Sequence, residues 1–425
     1  MSITITYIYS ACIVTTTPDV RILHDPWFTE GLYDGSWFHF PIVQNPIASI
    51  GDVDLIYISH IHPDHYDSAF LKEYFKVYGK KKIIIADHNP NYLAGKMRGD
   101  GIECTILTNP LTIGNTEIQI MPHETGSIDD IDSAILVKYN SSDKIHCVVN
   151  ANDIIFDENT RNTLKTISGN VDILLCGYTG AGPYPQTYFN LNDTSLKIEA
   201  ENKKSAFFDR YLALTNVIKA KVNIPFAGKY ILGGKLTPLN DFRGVADPTE
   251  VLEFDPLAVV LSDNGGEINT ETLTSSDIRR KPYDLADKLK RYDEVSKFKM
   301  DYERLINLDE IKQLPIKRLL SMAYYKAKLK SKCERDYYFA IKVSDIEIAI
   351  LNANKNTEDR VLFQSLDANI PKPYSIIEID IRYLFGLLTY VYHWNNAEVG
   401  SQFNVIREPN ELNRGAQDFL NFLSI

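Results

Sequence analysis

Three histidines and an aspartate, His60, His62, Asp64 and His65, fall within six residues of one another. Imidazole nitrogens and carboxylate oxygens are donors that zinc, manganese and iron accept. His60 and His62, two positions apart, can grip one ion while Asp64 and His65 reach a second. An ion held in this way acts as a Lewis acid and lowers the pKa of a bound water from about 15.7 toward 7. The segment therefore points to metal-assisted hydrolysis, with Asp64 placed to receive or steer protons.

Such a cluster needs a rigid element behind it. The run Asp54-Leu-Ile-Tyr-Ile-Ser59 is apolar and β-rich, so it reads as a buried strand ending where the donors begin. Similar runs recur at Val20–Leu23, Lys82–Ala86, Thr116–Ile120, Ala134–Tyr139, Ile145–Asn150 and Val171–Cys176. Helical patterns are expected at 68–79, 91–98 and 157–168. A longer one at 197–221 carries Phe207, Tyr211, Leu214 and Ile218 at helical spacing, and Val222–Pro225 follows as a strand. The N-terminus alternates polar and apolar residues and lacks the basic region and cleavage site of a signal peptide, so it reads as a first strand.

Past Gly233-Gly234 the patterning loosens, with Pro238, Asp247-Pro248 and Gly265-Gly266 as punctuation. The expected division is a catalytic domain over 1–245, a helical linker region over 246–335 and a small α+β module over 336–425. In that module Tyr337–Val343 and Ile346–Leu351 read as a hairpin, followed by an apolar helix near Ile379–Trp394. This order is similar to that of a sterol-carrier fold.

A chain of 425 residues exceeds one ordinary core, and with 44% hydrophobic and 24% charged residues it has a globular composition. No apolar run approaches the roughly 18–20 residues of a membrane span. The net charge of -11 argues against a surface that seeks nucleic acid or anionic lipid. Between Lys203 and Lys235, however, seven basic residues face one acid, Asp209. Two readings stay open for this stretch: a solvated helix face, or one wall of a pocket for an anionic substrate. The cysteines, Cys12, Cys104, Cys147, Cys176 and Cys333, are scattered and mostly in apolar surroundings, which fits reduced thiols in a cytoplasmic protein.

The His60–His65 segment resembles the H-x-H-x-D-H signature of the metallo-β-lactamase superfamily. That resemblance implies an α/β fold, a four-layer αββα sandwich with metals at one edge. Asp25-Pro26-Trp27 is similar to the family's Asp-Pro element, which gives Asp25 the role of orienting the ligands. The resemblance further implies a metal ligand in His123 and a bridging aspartate in Asp153, with Asp157 as a competitor. The expected centre holds two divalent ions, zinc first and manganese or iron as alternatives. One ion rests on His60, His62 and His123, the other on Asp64, His65 and Asp153, with Asp64 and Asp153 the catalytic carboxylates. Where the family closes the second site with a histidine, this chain reads Ile224-Pro-Phe226-Ala-Gly228, so the second ion is expected to bind more weakly. His24, His39 and His88 are read as structural.

Three further stretches, 177–188, 207–211 and 225–230, resemble the metal domain of CMP-N-acetylneuraminate hydroxylases, over about residues 20–235 with an echo at 380–409. The resemblance implies an anionic, sugar-nucleotide-like ligand, with Gly180, Tyr184 and Lys229 as candidate contacts. Those hydroxylases use Rieske ligands, paired Cys-x-His and Cys-x-x-His, but no cysteine here has a histidine two or three residues later. Lactonase and phosphodiesterase branches share the Asp-Pro and histidine-rich elements. The expectation is a metal-dependent hydrolase of an anionic small molecule, of nucleotide-sugar, phosphoester or lactone class, with neither membrane nor nucleic acid as partner and self-association left open. The alternatives are a dinuclear iron oxygenase, a nuclease and a non-catalytic binding protein.

Overall fold

The computed structural model describes residues 1–125, 131–275, 277–311, 313–358 and 360–425. The chain opens with strands β1 (Thr4–Tyr9), β2 (Cys12–Thr16), β3 (Arg21–His24), β4 (Trp37–Phe38), β5 (Leu55–Tyr57), β6 (Lys82–Ile85) and β7 (Thr105–Ile106). It continues with β8 (Leu111–Ile113), β9 (Thr116–Pro122), β10 (Ser133–Asn140), β11 (Ile145–Asn150), β12 (Ile173–Gly177), β13 (Val222–Phe226), β14 (Ile231–Leu232) and β15 (Gly266–Asn269). One sheet has the order β15-β1-β2-β3-β5-β6-β7 and the other β13-β12-β11-β10-β9-β8, while β4 pairs with β14 alone.

Side-chain alternation assembles the layers. Successive residues of a strand point to opposite faces, and these strands are apolar on both, so each sheet buries both sides. Ile13, Ile22, Tyr57 and Ile84 meet Ile135, Val137, Ile173 and Leu175 of the other sheet in a central core. Their neighbours Val14, Leu23, Ile56 and Ile83 face outward onto the helices Ser68–Tyr78 and Tyr92–Gly99. Leu136, Val149, Leu174 and Cys176 pack in the same way against Glu158–Ser168 and Thr194–Ile218. The result is the αββα order expected from the sequence.

The helix starts are fixed by aspartates. Asp67 accepts from the backbone N of Phe70 at 2.9 Å and so begins Ser68–Tyr78, and Asp157 accepts from Thr160 N at 2.7 Å to begin Glu158–Ser168. Asp157, the competitor of Asp153, is thus engaged as a helix cap.

Beyond the sandwich lie the helices Leu285–Ser296 and Ile316–Lys330 and the strands β16 (Tyr338–Lys342), β17 (Glu347–Asn352), β18 (Leu362–Ser365), β19 (Tyr374–Ile379) and β20 (Phe403–Glu408). They form a five-stranded sheet ordered β18-β17-β16-β19-β20, in which β16 and β17 are the expected antiparallel hairpin. The apolar helix expected near 379–394 is divided into Ile381–Leu388 and Trp394–Val399. Tyr390 breaks the run with a φ of 61°, and the His393 side chain accepts from Asn395 N at 3.2 Å to start the second helix.

Two features cross the limit expected at 245. Strand β15 pairs antiparallel with β1 and completes the first sheet from the far side of that limit. Tyr9, Trp27, Tyr33, Trp37 and Tyr230 share one buried cluster with Met300, Tyr302, Tyr383, Trp394 and Phe403, so the C-terminal sheet is packed onto the sandwich through its aromatic loops. No helix among the described residues is long and apolar enough to cross a membrane.

Candidate metal centre

Strands β3 and β5 run parallel, as do β11, β12 and β13, and the C-terminal ends of both groups lie along one edge of the sandwich. In open parallel sheets this edge is where ligands bind, because loops diverge there. The register pairs His24 with Tyr57, which brings Asp25 beside Ser59. Asp25, fully buried, accepts from Ser59 N and Ser59 Oγ, each at 2.7 Å. Ser133 Oγ donates to Ser59 O at 2.8 Å and Tyr57 Oη meets Ser133, tying the second sheet to the histidine loop.

That loop then turns tightly, with the backbone N of His65 and of Tyr66 donating to His62 O. Nε2 of His60 lies 2.9 Å from Nδ1 of His62. Their other nitrogens are occupied: His60 Nδ1 by Ser59 Oγ at 2.9 Å and His62 Nε2 by Oδ1 of Asn395 at 3.1 Å. His65 Nδ1 contacts Asp25 at 3.0 Å, leaving Nε2 facing Asp153 at 3.2 Å and Asp64 at 3.5 Å. His60, His65 and Asp153 offer donor atoms within 4.8 Å of one another. His123 follows β9, held by its N–H to Asp132 O, and its buried Nε2 has no hydrogen-bond partner among the described residues.

The titrations reflect these surroundings. Burial, reinforced by His65, His62 and His88, pushes the His60 imidazole well below its usual pKa, so it stays neutral with a free lone pair. Burial acts the same way on His65, but the carboxylates of Asp153 and Asp64 outweigh it and raise that imidazole. Burial raises Asp25 despite its bonds to His65 and Ser59. For Asp153, the charge of His65 prevails over burial and lowers the carboxyl. One buried unpartnered nitrogen, a neutral imidazole pair whose lone pairs face each other and a third imidazole among carboxylates make a donor set that fits borderline divalent ions.

A cavity of about 280 Å³ opens over these groups, with His62, Asp64 and Asp153 on its floor. Its walls include Tyr33, Trp37, Tyr230 and Phe207, the Trp37 and Tyr230 rings stacking with centroids 3.4 Å apart. Gly180 lines it, and the Phe207 ring lies so close that a Cβ at Gly180 would fall 1.9 Å from it.

Other expected contacts are elsewhere. Tyr184 is outside the cavity lining, with its hydroxyl donating to Glu199 at 2.8 Å. Lys229 turns into the fold, 2.6 Å from Asp263 and 4.8 Å above the Tyr7 ring, so its charge is spent on an internal ion pair. Phe226 is 1% exposed in the core between the sheets and does not face the metal-capable residues. Its predecessors Val222 and Ile224 lie in the same core, as two-residue alternation requires. His24 is bonded to Thr15 and His39 lies among Tyr9, Trp27 and Phe28, as structural histidines do.

Several residues of the site carry no local signal in the sequence. Tyr33, in the left-handed region with φ 52°, donates its hydroxyl to Asp64 from a loop far along the chain. Asn395 arrives from the C-terminal segment. Arg210, a cation in the cavity lining, shares a face of Thr194–Ile218 with Phe207 and Leu214, so its helical spacing was the one available clue.

Residues 4–180 match the model of the Beta-lactamase superfamily domain. A Mycolicibacterium smegmatis protein carrying the name of a Rieske 2Fe-2S iron-sulfur protein is 28% identical over 247 residues, 54% of this chain and 44% of that one. The cytidine monophosphate-N-acetylneuraminic acid hydroxylase of Danio rerio is 24% identical over 238 residues, 54% of this chain and 38% of the hydroxylase. The chain therefore spans less than half the length of these relatives. Among solved structures, the isothiocyanate hydrolase from Delia radicum gut bacteria aligns over 64% of this chain and 100% of its own, with 14% identity and a TM-score of 0.45. Over residues 4–180 the chain is thus similar to the Beta-lactamase superfamily domain, and over about half its length it is similar to cytidine monophosphate-N-acetylneuraminic acid hydroxylases.

Proposed function

We propose that the protein is a metal-dependent hydrolase of an anionic small molecule. In this reading His60, His62 and His123 hold one divalent ion, zinc foremost, and Asp64, His65 and Asp153 hold a second. The observation that carries the reading is the pairing of His60 Nε2 with His62 Nδ1 while both outer nitrogens are bonded to other groups. That arrangement fixes each tautomer so that a lone pair is presented inward. Bound ions supply Lewis acidity and a water acidic enough to act near neutrality. Asp25 orients His65, and the half-exposed Asp153 carboxylate stands where it can take a proton from the reacting water.

The anionic class rests on Arg210. It lines the cavity with its guanidinium 4.7 Å from the Phe207 ring and has no acidic ion-pair partner among the described residues. The aromatic walls suit a flat or apolar portion of the same substrate. The catalytic unit is proposed to extend past 245 to include β15. Screening the zinc-loaded protein against nucleotide-sugars, phosphodiesters and lactones tests the reading. One class should be turned over, and Arg210→Gln should raise KM about tenfold or more with little change in kcat. Turnover of uncharged substrates alone, indifferent to Arg210, would contradict it.

A dinuclear iron oxygenase is the second reading, favoured by the similarity to hydroxylases and by a donor set that also accepts iron. Dioxygen consumption by iron-loaded protein with an external reductant, absent from zinc-loaded protein, would decide for it.

A further inference from the structure

We infer that residues 395–402 of the C-terminal segment are a working part of the metal centre, Asn395 positioning His62 and the stretch around Gly400 positioning Tyr33 against Asp64. The inference rests on the metal-binding reading above and goes beyond it, since these residues lie far outside the 4–180 domain. Asn395 Oδ1 is 3.1 Å from His62 Nε2. An amide oxygen accepts only, so it selects the tautomer with the proton on Nε2 and directs the Nδ1 lone pair inward. Asn395 occupies the first turn of Trp394–Val399, the helix started by His393, so its side chain is carried on a capped element.

The second contact works through the backbone. Ser36 Oγ donates to Gly400 O at 2.6 Å, and Gln402 Nε2 donates to Tyr33 O at 2.8 Å. Gly400 sits so tightly on the Tyr33 side chain that a Cβ there would come within 2.9 Å of the Tyr33 Cβ. The Tyr33 backbone is held in its left-handed conformation by these contacts, and its hydroxyl reaches Asp64. Val399, between the two contacts, lines the cavity itself. One short segment thus touches His62 directly and reaches Asp64 through Tyr33.

Hydrogen-bond partners of ligating histidines are worth roughly 10- to 100-fold in metal affinity. Zinc is titrated into the metal-free 425-residue chain against a chromogenic chelator, for wild type, Asn395→Ala, Asn395→Asp and Gln402→Ala, with thermal melting of each metal-free variant alongside. Asn395→Ala should lose affinity on this scale at one of the two ions without lowering the metal-free melting temperature. Asn395→Asp should restore it, because a carboxylate accepts the same bond, and that rescue also serves if the alanine variant fails to fold. Gln402→Ala should weaken the other ion. A wild type that takes up zinc while Asn395→Ala takes it up equally well overturns the inference alone. A wild type that takes up none overturns the metal reading and the inference together.

Discussion

In the proposed centre His60, His62 and His123 supply three imidazoles, two of them buried and one half-buried, whereas Asp64, His65 and Asp153 set one imidazole between two carboxylates, with the Asp153 side chain 38% exposed. Both halves draw on the loop after β5, with His123 added after β9 and Asp153 after β11, yet they differ in donor chemistry and in access to water. Imidazoles suit a closed and tight site, while two carboxylates, one of them exposed, with no further imidazole leave coordination positions to water or substrate. On the proposed reading the two halves are therefore unequal, and the reacting water belongs on the open side.

Removing a ligand from the closed half gives the largest effect. His62→Ala should cost a full equivalent of bound metal and all metal-dependent turnover, with the circular dichroism of the fold retained. A full complement of metal in that variant would break the comparison at its stronger side. Asp25→Ala comes next, because it removes the buried acceptor of Ser59 and the partner of His65. Competition titration should show the weaker ion loosened by roughly 10- to 100-fold with the tighter ion changed far less.

Tyr33→Phe removes a single hydrogen bond to Asp64. A loss on the order of 1 kcal/mol, or about fivefold in affinity for the weaker ion, is expected in the same titration. Phe226→His should have no effect on metal affinity, since the position faces the inter-sheet core. It should instead lower stability by roughly 2–4 kcal/mol in urea unfolding, because a polar ring replaces buried apolar surface. A tightened second ion in Phe226→His would sharpen the comparison differently, by placing that residue at the centre after all.

The fate of Phe226 shows what could be read in the sequence and what was misread. Strands such as those at Val20–Leu23, Ala134–Tyr139 and Val171–Cys176 were legible, because a sheet buried on both faces declares itself locally as a continuous apolar run. The histidine loop was legible because its donors are adjacent in the chain. Phe226 was assigned by its place in a motif, although the two-residue alternation Val222, Ile224, Phe226 already pointed it into the core. Lys229 reads in the sequence as a candidate contact for an anionic ligand, but its partner Asp263 comes from a loop that local pattern does not connect to it. Tyr33, Asn395 and strand β15 reach their places only through long-range packing, where sequence spacing carries no information.

The measurement closest to the central claim is metal stoichiometry of the zinc-loaded wild-type protein across a graded series of chelator concentrations. Two separate steps of one equivalent each are predicted, the first released at low chelator and lost earlier still in Asp25→Ala, the second abolished in His62→Ala. Release of two ions together in one step, at equal affinity, would contradict the unequal centre and require a ligand for Asp64, His65 and Asp153 that this account does not contain.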